Sequence, residues 1–457
     1  MNDTAKTFHI LTFGCQMNVH DSDWLARALR AHGWAEAPED EARAFIINTC
    51  SVRDKPEQKV YSLIGRLSRH TDADPSKFVA VGGCVAQQVG EDFFQRFPCV
   101  RLVFGTDQTT RVPEALGTLA RGEAQRLAML DFEEGFTLRK LHLPGEGEVS
   151  HLPGQAFVNI MQGCDNFCAY CIVPYVRGRQ KSRSAPDVLA EVRALAERGI
   201  REITLLGQNV NSFGLDRHGD GTSFAALLAE VAGVDGVERL RFTTSHPKDL
   251  APEVIETFAA LPQLCPALHL PLQAGSDRVL KSMGRGYDVA RYMGLVQALR
   301  EARPGIALTT DLIVGFPGET EEDFQQTLEI VRQVGYESSF SFMYSDRPGT
   351  RSVRLAPKIE QPEKLDRLMR LQALQEELTD VAYAAQVGKR SVVLLESQSK
   401  KQDDGNDVSW RGRDGGGRVI NISMSGGAGN LAGKLLDVEV TQAKKHSLRG
   451  EAVGEPW

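Results

Sequence analysis

Residues 163–171 read Gly163-Cys164-Asp165-Asn166-Phe167-Cys168-Ala169-Tyr170-Cys171, three cysteines in C-x3-C-x2-C spacing on one short loop. The run that leads into it, FVNIMQG (157–163), is short and apolar, as a buried strand is. Five similar runs follow: EITLLGQN (202–209), RLRFTTSHP (239–247), ALHLPLQAG (267–275), IALTTDLIVGFPG (306–318) and SFSFMYSDRPG (339–349). Helical patterns such as APDVLAEVRALAERG and TEEDFQQTLEIVRQVG separate them. Strands alternating with helices in this way predict a parallel β/α barrel, partial or complete, of about 200 residues. Chemistry in such barrels lies at the carboxyl ends of the strands, and the cysteine loop follows the first strand directly.

Upstream, FHILTFG, DSDWLARALRAHG, AFIINT, a charged helical stretch near 54–70 and KFVAVGG give βαβαβ punctuation, with Asp21, Ser22 and Asp23 as expected helix caps. Each of these three strands ends in a cysteine: Cys15, Cys50 and Cys84, 35 and 34 residues apart. The carboxyl ends of an open parallel sheet border its ligand crevice, so the three thiols are expected to converge there. VRLVFGT (100–106) predicts a further strand; beyond about residue 121 periodicity fades, and HLPGEGEVSHLPG (142–154) reads as a linker. A helical stretch at 358–386 leads to β-rich runs broken by Gly and Asp, which predict a small β-barrel of about 65 residues. The expected fold class is therefore α/β: an open α/β domain at 6–121, a β/α barrel at 150–384 and a small β-barrel at 387–454.

The chain has 457 residues, 42% hydrophobic and 25% charged, a globular composition that excludes a disordered protein. No run approaches the roughly 18 uncharged apolar residues that span a bilayer, and MNDTAKTFHI lacks the marks of a signal peptide. A cytoplasmic protein with no membrane partner is expected. The net charge of −7 excludes bulk coating of nucleic acid, but residues 381–457 carry 11 Lys and Arg against 9 Asp and Glu, which favours this end for any RNA contact. In a reducing compartment, clustered cysteines read as metal ligands or catalytic groups before disulfides. Three thiolates on one loop can hold three irons of a 4Fe–4S cluster and leave one iron open; a zinc site, normally closed by four ligands, and inert core cysteines are the other readings. Cys99 and Cys265 match no motif and read as core or surface thiols. The basic run RGRQKSR (177–183) can meet a carboxylate or phosphates, or be a solvated helix entry.

C-x3-C-x-aromatic-C in a β/α barrel resembles the radical S-adenosylmethionine (SAM) superfamily, and LLGQNVNSFG, HLPLQAGSDRVLKSMGRGY and DLIVGFPGET look like its strand-end motifs. GCQMN, NTCSVR and GGCVAQ resemble the N-terminal domain of the methylthiotransferase family, and WRGR with DVEVTQAKKHSLRG resembles its TRAM module, an RNA-binding β-barrel. The resemblance implies two 4Fe–4S clusters, one held by Cys164, Cys168 and Cys171 and binding SAM, the other an auxiliary cluster on Cys15, Cys50 and Cys84. It suggests SAM contacts at Tyr170, Gln208, Asn209, Gly315 and Pro317. RNA contacts are expected at Trp410, Arg411, Lys444 and His446, with Arg413, Lys445 and Arg449 beside them. GCQMN followed by HDS, FTTSHP and HSLRGE most resemble the branch that adds a methylthio group to C-2 of an isopentenylated adenosine just 3′ of the tRNA anticodon. Sister branches act on threonylcarbamoyl-adenosine or ribosomal protein S12, and a non-catalytic iron–sulfur redox protein is the reading from another class. The implied partners are that tRNA and a low-potential electron donor such as flavodoxin or ferredoxin.

Overall fold

A computed structural model describes residues 6–51, 56–136, 153–399, 408–424 and 429–457. The expected linker at 142–154 lies outside the described residues except for Pro153 and Gly154.

The N-terminal domain is a six-stranded parallel sheet of β1 (Thr7–Thr12), β2 (Ala35–Glu36), β3 (Ala44–Thr49), β4 (Phe78–Gly83), β5 (Val100–Phe104) and β6 (Leu127–Met129), in the order β2-β1-β3-β4-β5-β6. β3 and β4 are buried along their whole length because helices cover both faces. Trp24, Leu25, Leu29 and Leu116 pack on one face; Ile64, Leu67, Val85 and Phe93 pack on the other. The strand order reverses between β1 and β3, and such a switch point opens a crevice at the carboxyl ends of the strands. β6 extends the sheet beyond residue 121; a three-residue edge strand is too short to show periodicity in the sequence.

The first helix corrects the sequence reading. It runs over Gln16–Ala31, with Cys15 at the N-cap, so Asp21 and Ser22 are interior helical residues and buried. Asn18 anchors the early start: its side-chain amide donates to Asn48 Oδ1 and to the Thr49 carbonyl, each at 2.8 Å.

The second domain carries six parallel barrel strands: β7 (Gln155–Asn159), β10 (Glu202–Leu206), β11 (Arg239–Thr243), β12 (Ala267–His269), β13 (Ala307–Val314) and β14 (Ser338–Met343). A short antiparallel ribbon, β8 (Met161–Gln162) with β9 (Lys181–Ser182), brackets the cysteine loop. The strands form two sheets, β11-β10-β7 and β12-β13-β14, joined by the Leu240–Leu264 bridge. The barrel is thus partial. Its strands alternate with helices, several of them started by their own caps at Ser184, Ser223, Asp288 and the Thr320–Asp323 capping box. Helix Gln361–Ala384 follows the last strand, held by the buried Arg367–Glu319 pair at 2.8 Å.

The third domain is a closed five-stranded barrel of β15 (Arg390–Gln398), β16 (Val408–Asp414), β17 (Val419–Met424), β18 (Leu435–Lys444) and β19 (Ser447–Ala452), sealed by the parallel β17–β19 pair. Its 414–418 turn docks at the amino ends of the large barrel's strands. Arg239 and Arg241 donate to the Arg413, Asp414 and Gly415 carbonyls, and Arg418 pairs with Glu337. The small barrel therefore sits at the opposite end from the cysteine loop.

Candidate functional site

The first three cysteines converge at the switch point of the N-terminal sheet. Cys15 follows β1, Cys50 follows β3 and Cys84 follows β4, and the glycines before two of them let the strand ends approach. At Gly14, with φ +120°, an added Cβ would lie 2.2 Å from Cys50 Cβ; at Gly83, with φ +88°, it would strike the Thr49 carbonyl at 2.4 Å. Cys50 and Cys84 are buried while Cys15 faces the opening. A hydrogen bond from the Cys50 side chain holds Cys15 down at about 5, against the opposing effect of burial, and Arg177 adds to the lowering. Arg177 comes from the barrel domain. Burial works against its charge, but Cys84, Asp21 and Cys15 around it push its pKa up.

The second set lies on the loop after β7. Gly163, with φ +79°, and Phe167, with φ 46°, turn the backbone tightly; Arg179 lies over the Phe167 ring and Tyr175 meets it edge-on. Two distant segments pin the loop through three hydrogen bonds: the Ala169 amide donates to the Met283 carbonyl, the Ser352 amide to the Ala169 carbonyl, and Arg351 to the Phe167 carbonyl. Burial pushes Cys164 up to about 11 and, with Cys168 beside it, Cys171 up to about 12. Arg285 donates to Cys168 Sγ at 3.4 Å, and His246 Nε2 stands 3.7 Å from the same sulfur. Burial, then Arg285 and Lys248, push His246 down to about 2, so it is neutral. Both residues sit inside strand-end segments that stand out in the sequence, FTTSHP and KSMGRGY, yet neither is marked there by ligand spacing; only folding brings them to Cys168.

The two sets are neighbours. Ile172, the residue after Cys171, packs with Val176 against Cys84. The domains are clamped around this point by the buried Lys181–Asp107 pair at 2.5 Å, by Gln162 on Asp107 and by Thr106 donating to the Val176 carbonyl. No three described His, Cys, Asp or Glu side chains are grouped to cage a single metal ion. The fit to an iron–sulfur group rests on the donors: two sets of three thiols, each meeting a guanidinium that can offset the charge of thiolates.

Three family models match: the Radical SAM superfamily over residues 158–331, the uncharacterized protein family UPF0004 over 7–105 and the TRAM domain over 384–453. A tRNA-2-methylthio-N(6)-dimethylallyladenosine synthase of Nitratidesulfovibrio vulgaris is 60% identical over 452 residues, covering 99% of both chains. Its namesake from Oleidesulfovibrio alaskensis is 58% identical, covering 98% of this chain and 99% of the relative. This chain belongs to the tRNA-2-methylthio-N(6)-dimethylallyladenosine synthase family. It is a radical SAM methylthiotransferase, and family membership implies an iron–sulfur cluster and SAM. Among solved structures, the radical SAM methyltransferase TsrM from Kitasatospora setae aligns with TM-score 0.54 at 17% identity, covering 77% of this chain and 76% of that one. The cobalamin-dependent radical enzyme OxsB aligns with TM-score 0.52 at 14% identity, covering 82% and 56%. Both likenesses concern the fold alone.

The other expected site residues divide between the carboxyl ends of the large barrel's strands, the small barrel and the domain junction. Gln208 accepts from the Gly163 amide at 2.6 Å and so braces the cysteine loop, while Asn209 donates to Asp249 and Ser212. Gly315, with φ +70°, gives its amide to Glu319, and Pro317 is buried in the same turn. Tyr170 lies within 3.4 Å of Arg285. Trp410 corrects an expectation: it is 2% exposed and fills the core of the TRAM barrel, so it offers no face for base stacking. Arg411 is half-buried and Arg413 pairs with Glu396, whereas Lys444 and His446 are exposed. Lys445 pairs with Glu376 on the helix beneath. The basic run 177–183 is also corrected, because its charges face inward or pair locally: Arg179 with Asp165, Lys181 with Asp107 and Arg183 with Glu191. Cys99 is half-buried against the sheet core and Cys265 is buried.

Proposed function

We propose that this protein adds a methylthio group to C-2 of N(6)-isopentenyladenosine in tRNA, at the adenosine just 3′ of the anticodon, using two 4Fe–4S clusters and SAM. The observation that carries the two-cluster reading is the packing of Ile172 and Val176 against Cys84, which sets one cysteine triad beside the other. Cys164, Cys168 and Cys171 would hold the SAM-binding cluster, and Cys15, Cys50 and Cys84 the auxiliary one. Bound there, the groups would supply a low-potential electron for the reductive cleavage of SAM and an iron–sulfur site for the sulfur to be transferred. A radical route suits an aromatic C–H too weakly acidic for a side-chain base.

The chain's own residues prepare these steps. Arg285 offsets negative charge at Cys168, while neutral His246 on the same sulfur adds none. Phe167, flanked by Arg179 and Tyr175, shields the solvent side of the loop. Tyr170, Gly315 and Pro317 are proposed SAM contacts; Gln208 and Asn209 act by bracing the loop and Asp249. Lys444 and His446, with Arg411 and Arg449, are proposed RNA contacts, and the adenosine leaves its stack to enter the cleft. The reductant is of the flavodoxin or ferredoxin class. No described helix is long and apolar enough to cross a membrane, and a tRNA substrate places the reaction in the cytoplasm.

Mass spectrometry of tRNA nucleosides from a strain lacking the gene tests this. The expected result is loss of 2-methylthio-N(6)-isopentenyladenosine, a rise of the unthiolated nucleoside, and reversal when the gene returns. An untouched nucleoside would reject the substrate and direct the search to threonylcarbamoyl-adenosine and ribosomal protein S12.

A further inference from the structure

The N-terminal thiol site is completed by a side chain from the other domain. Arg177 lies six residues beyond Cys171, is 3% exposed, and both its terminal guanidinium nitrogens are buried with no oxygen acceptor in hydrogen-bond range. The nearest carboxylate oxygen, Asp21 Oδ2, is 3.6 Å from Nη2, close enough to share charge but too far for a hydrogen bond. Two sulfurs act on its charge: Cys84, within reach of a side-chain hydrogen bond, and Cys15. Donors buried with no acceptor better than a thiol sulfur are costly, and a buried charge costs more, so a stronger acceptor at this point would stabilise the arrangement. A sulfur-rich anion among Cys15, Cys50 and Cys84 is such an acceptor.

We propose that Arg177 is a positioning residue for the auxiliary cluster: its guanidinium donates to that cluster's sulfur atoms and, as a fixed positive charge, favours the reduced state. This rests on the auxiliary-cluster reading above. The step concerned is uptake of one electron, from the 2+ to the 1+ state of the 4Fe–4S core, with dithionite as the reductant and no proton transferred. Charge and hydrogen bonds to sulfur are the protein's levers on such a potential. Because Arg177 belongs to the barrel and the thiols to the N-terminal sheet, the complete site exists only when the two domains are docked.

The test uses the full chain carrying Cys164→Ala, Cys168→Ala and Cys171→Ala, loaded anaerobically with iron and sulfide and titrated with dithionite under electron paramagnetic resonance. Arg177→Gln is expected to weaken reduction at least tenfold, a fall of about 59 mV in midpoint potential for one electron. Arg177→Lys should recover part of the shift, and Asp21→Asn, which removes a negative charge beside the guanidinium, should move the potential upward. Full iron content with an unmoved potential in Arg177→Gln overturns the proposal. If Arg177→Gln does not load, Asp21→Asn decides, and an unmoved potential there overturns it equally. A parent that binds no iron overturns the auxiliary-cluster reading itself, whereas a loaded parent with insensitive variants overturns only the role of Arg177.

Discussion

Cys168 and Cys50 stand at the ends of strands in two different sheets, and replacing each should separate two steps of one reaction. Cys168→Ala is expected to abolish SAM cleavage. Cys50→Ala should leave reductive cleavage intact and stop methylthio transfer, with 5′-deoxyadenosine followed by chromatography and the product by nucleoside mass spectrometry. Equal loss of cleavage in both variants would contradict the division of labour. The positions of the six cysteines were legible in the sequence, Cys164, Cys168 and Cys171 from their close spacing and Cys15, Cys50 and Cys84 from following three successive strand patterns. Trp410 was not legible in the same way. Strand alternation turns Trp410 inward with Gly412 and Asp414, while Arg411 and Arg413 lie on the other face, and WRGR alone does not say which parity faces the core. Trp410→Ala should therefore destabilise the small barrel by ~3–5 kcal/mol in thermal unfolding, the range for emptying a core aromatic position. A stable Trp410→Ala variant with selectively weakened tRNA affinity would restore the stacking role.

At the scale of elements, the strand-to-helix turns decide the site. The helix over Gln16–Ala31 begins at the cysteine itself because Asn18 is tied to β3 and its end, a link between residues 30 apart that local capping signals do not encode. Gly14 and Gly83 allow the strand ends to close on one another. Gly14→Ala should force Cys15 away from Cys50, and iron analysis should then show loss of about one cluster's share while the barrel loop keeps its own, since a side chain at φ +120° is strained wherever it is placed. Unchanged iron content would show that the turn tolerates the shift. The basic run 177–183 has the composition of a surface for anions, yet it lies where two domains meet, so Arg177, Lys181 and Arg183 turn inward and Arg179 pairs with Asp165 at the surface. Asp107→Ala would leave Lys181 buried without a countercharge, holding only the Glu133 carbonyl, and is expected to cost ~3–5 kcal/mol in unfolding experiments. A loss below ~1 kcal/mol would show that Lys181 reaches solvent.

For the whole molecule, the docking of the TRAM barrel changes how its role is best tested. Removing residues 387–457 would take from Arg239 and Arg241 the small-barrel carbonyls they donate to, leaving them Glu202, and from Glu337 its Arg418, so a fall in activity would not separate RNA binding from stability. Lys444→Glu with His446→Ala, both on the exposed β18–β19 turn, is the cleaner variant. Weaker tRNA binding and a shallower salt dependence, by about one unit for each phosphate no longer neutralised, are expected. An unchanged salt slope would place the RNA elsewhere on the molecule.

The sequence by itself determined the three-part α/β architecture and the placing of two sets of three cysteines at the carboxyl ends of strands. Hydrophobic periodicity, turn residues and the close spacing of Cys164, Cys168 and Cys171 are local properties, and the repeat of strand, cysteine and helix needs only the order of such segments along the chain. Only the tertiary structure decided that the triads are neighbours, that Arg177 crosses from the barrel to the N-terminal thiols, that Arg285 and His246 meet Cys168, and that Trp410 is core. Each of these depends on side chains far apart in the chain, brought together by strand order, parity and domain docking. The physical reason is that burial and charge pairing are settled by neighbours in space, which a run of residues does not name.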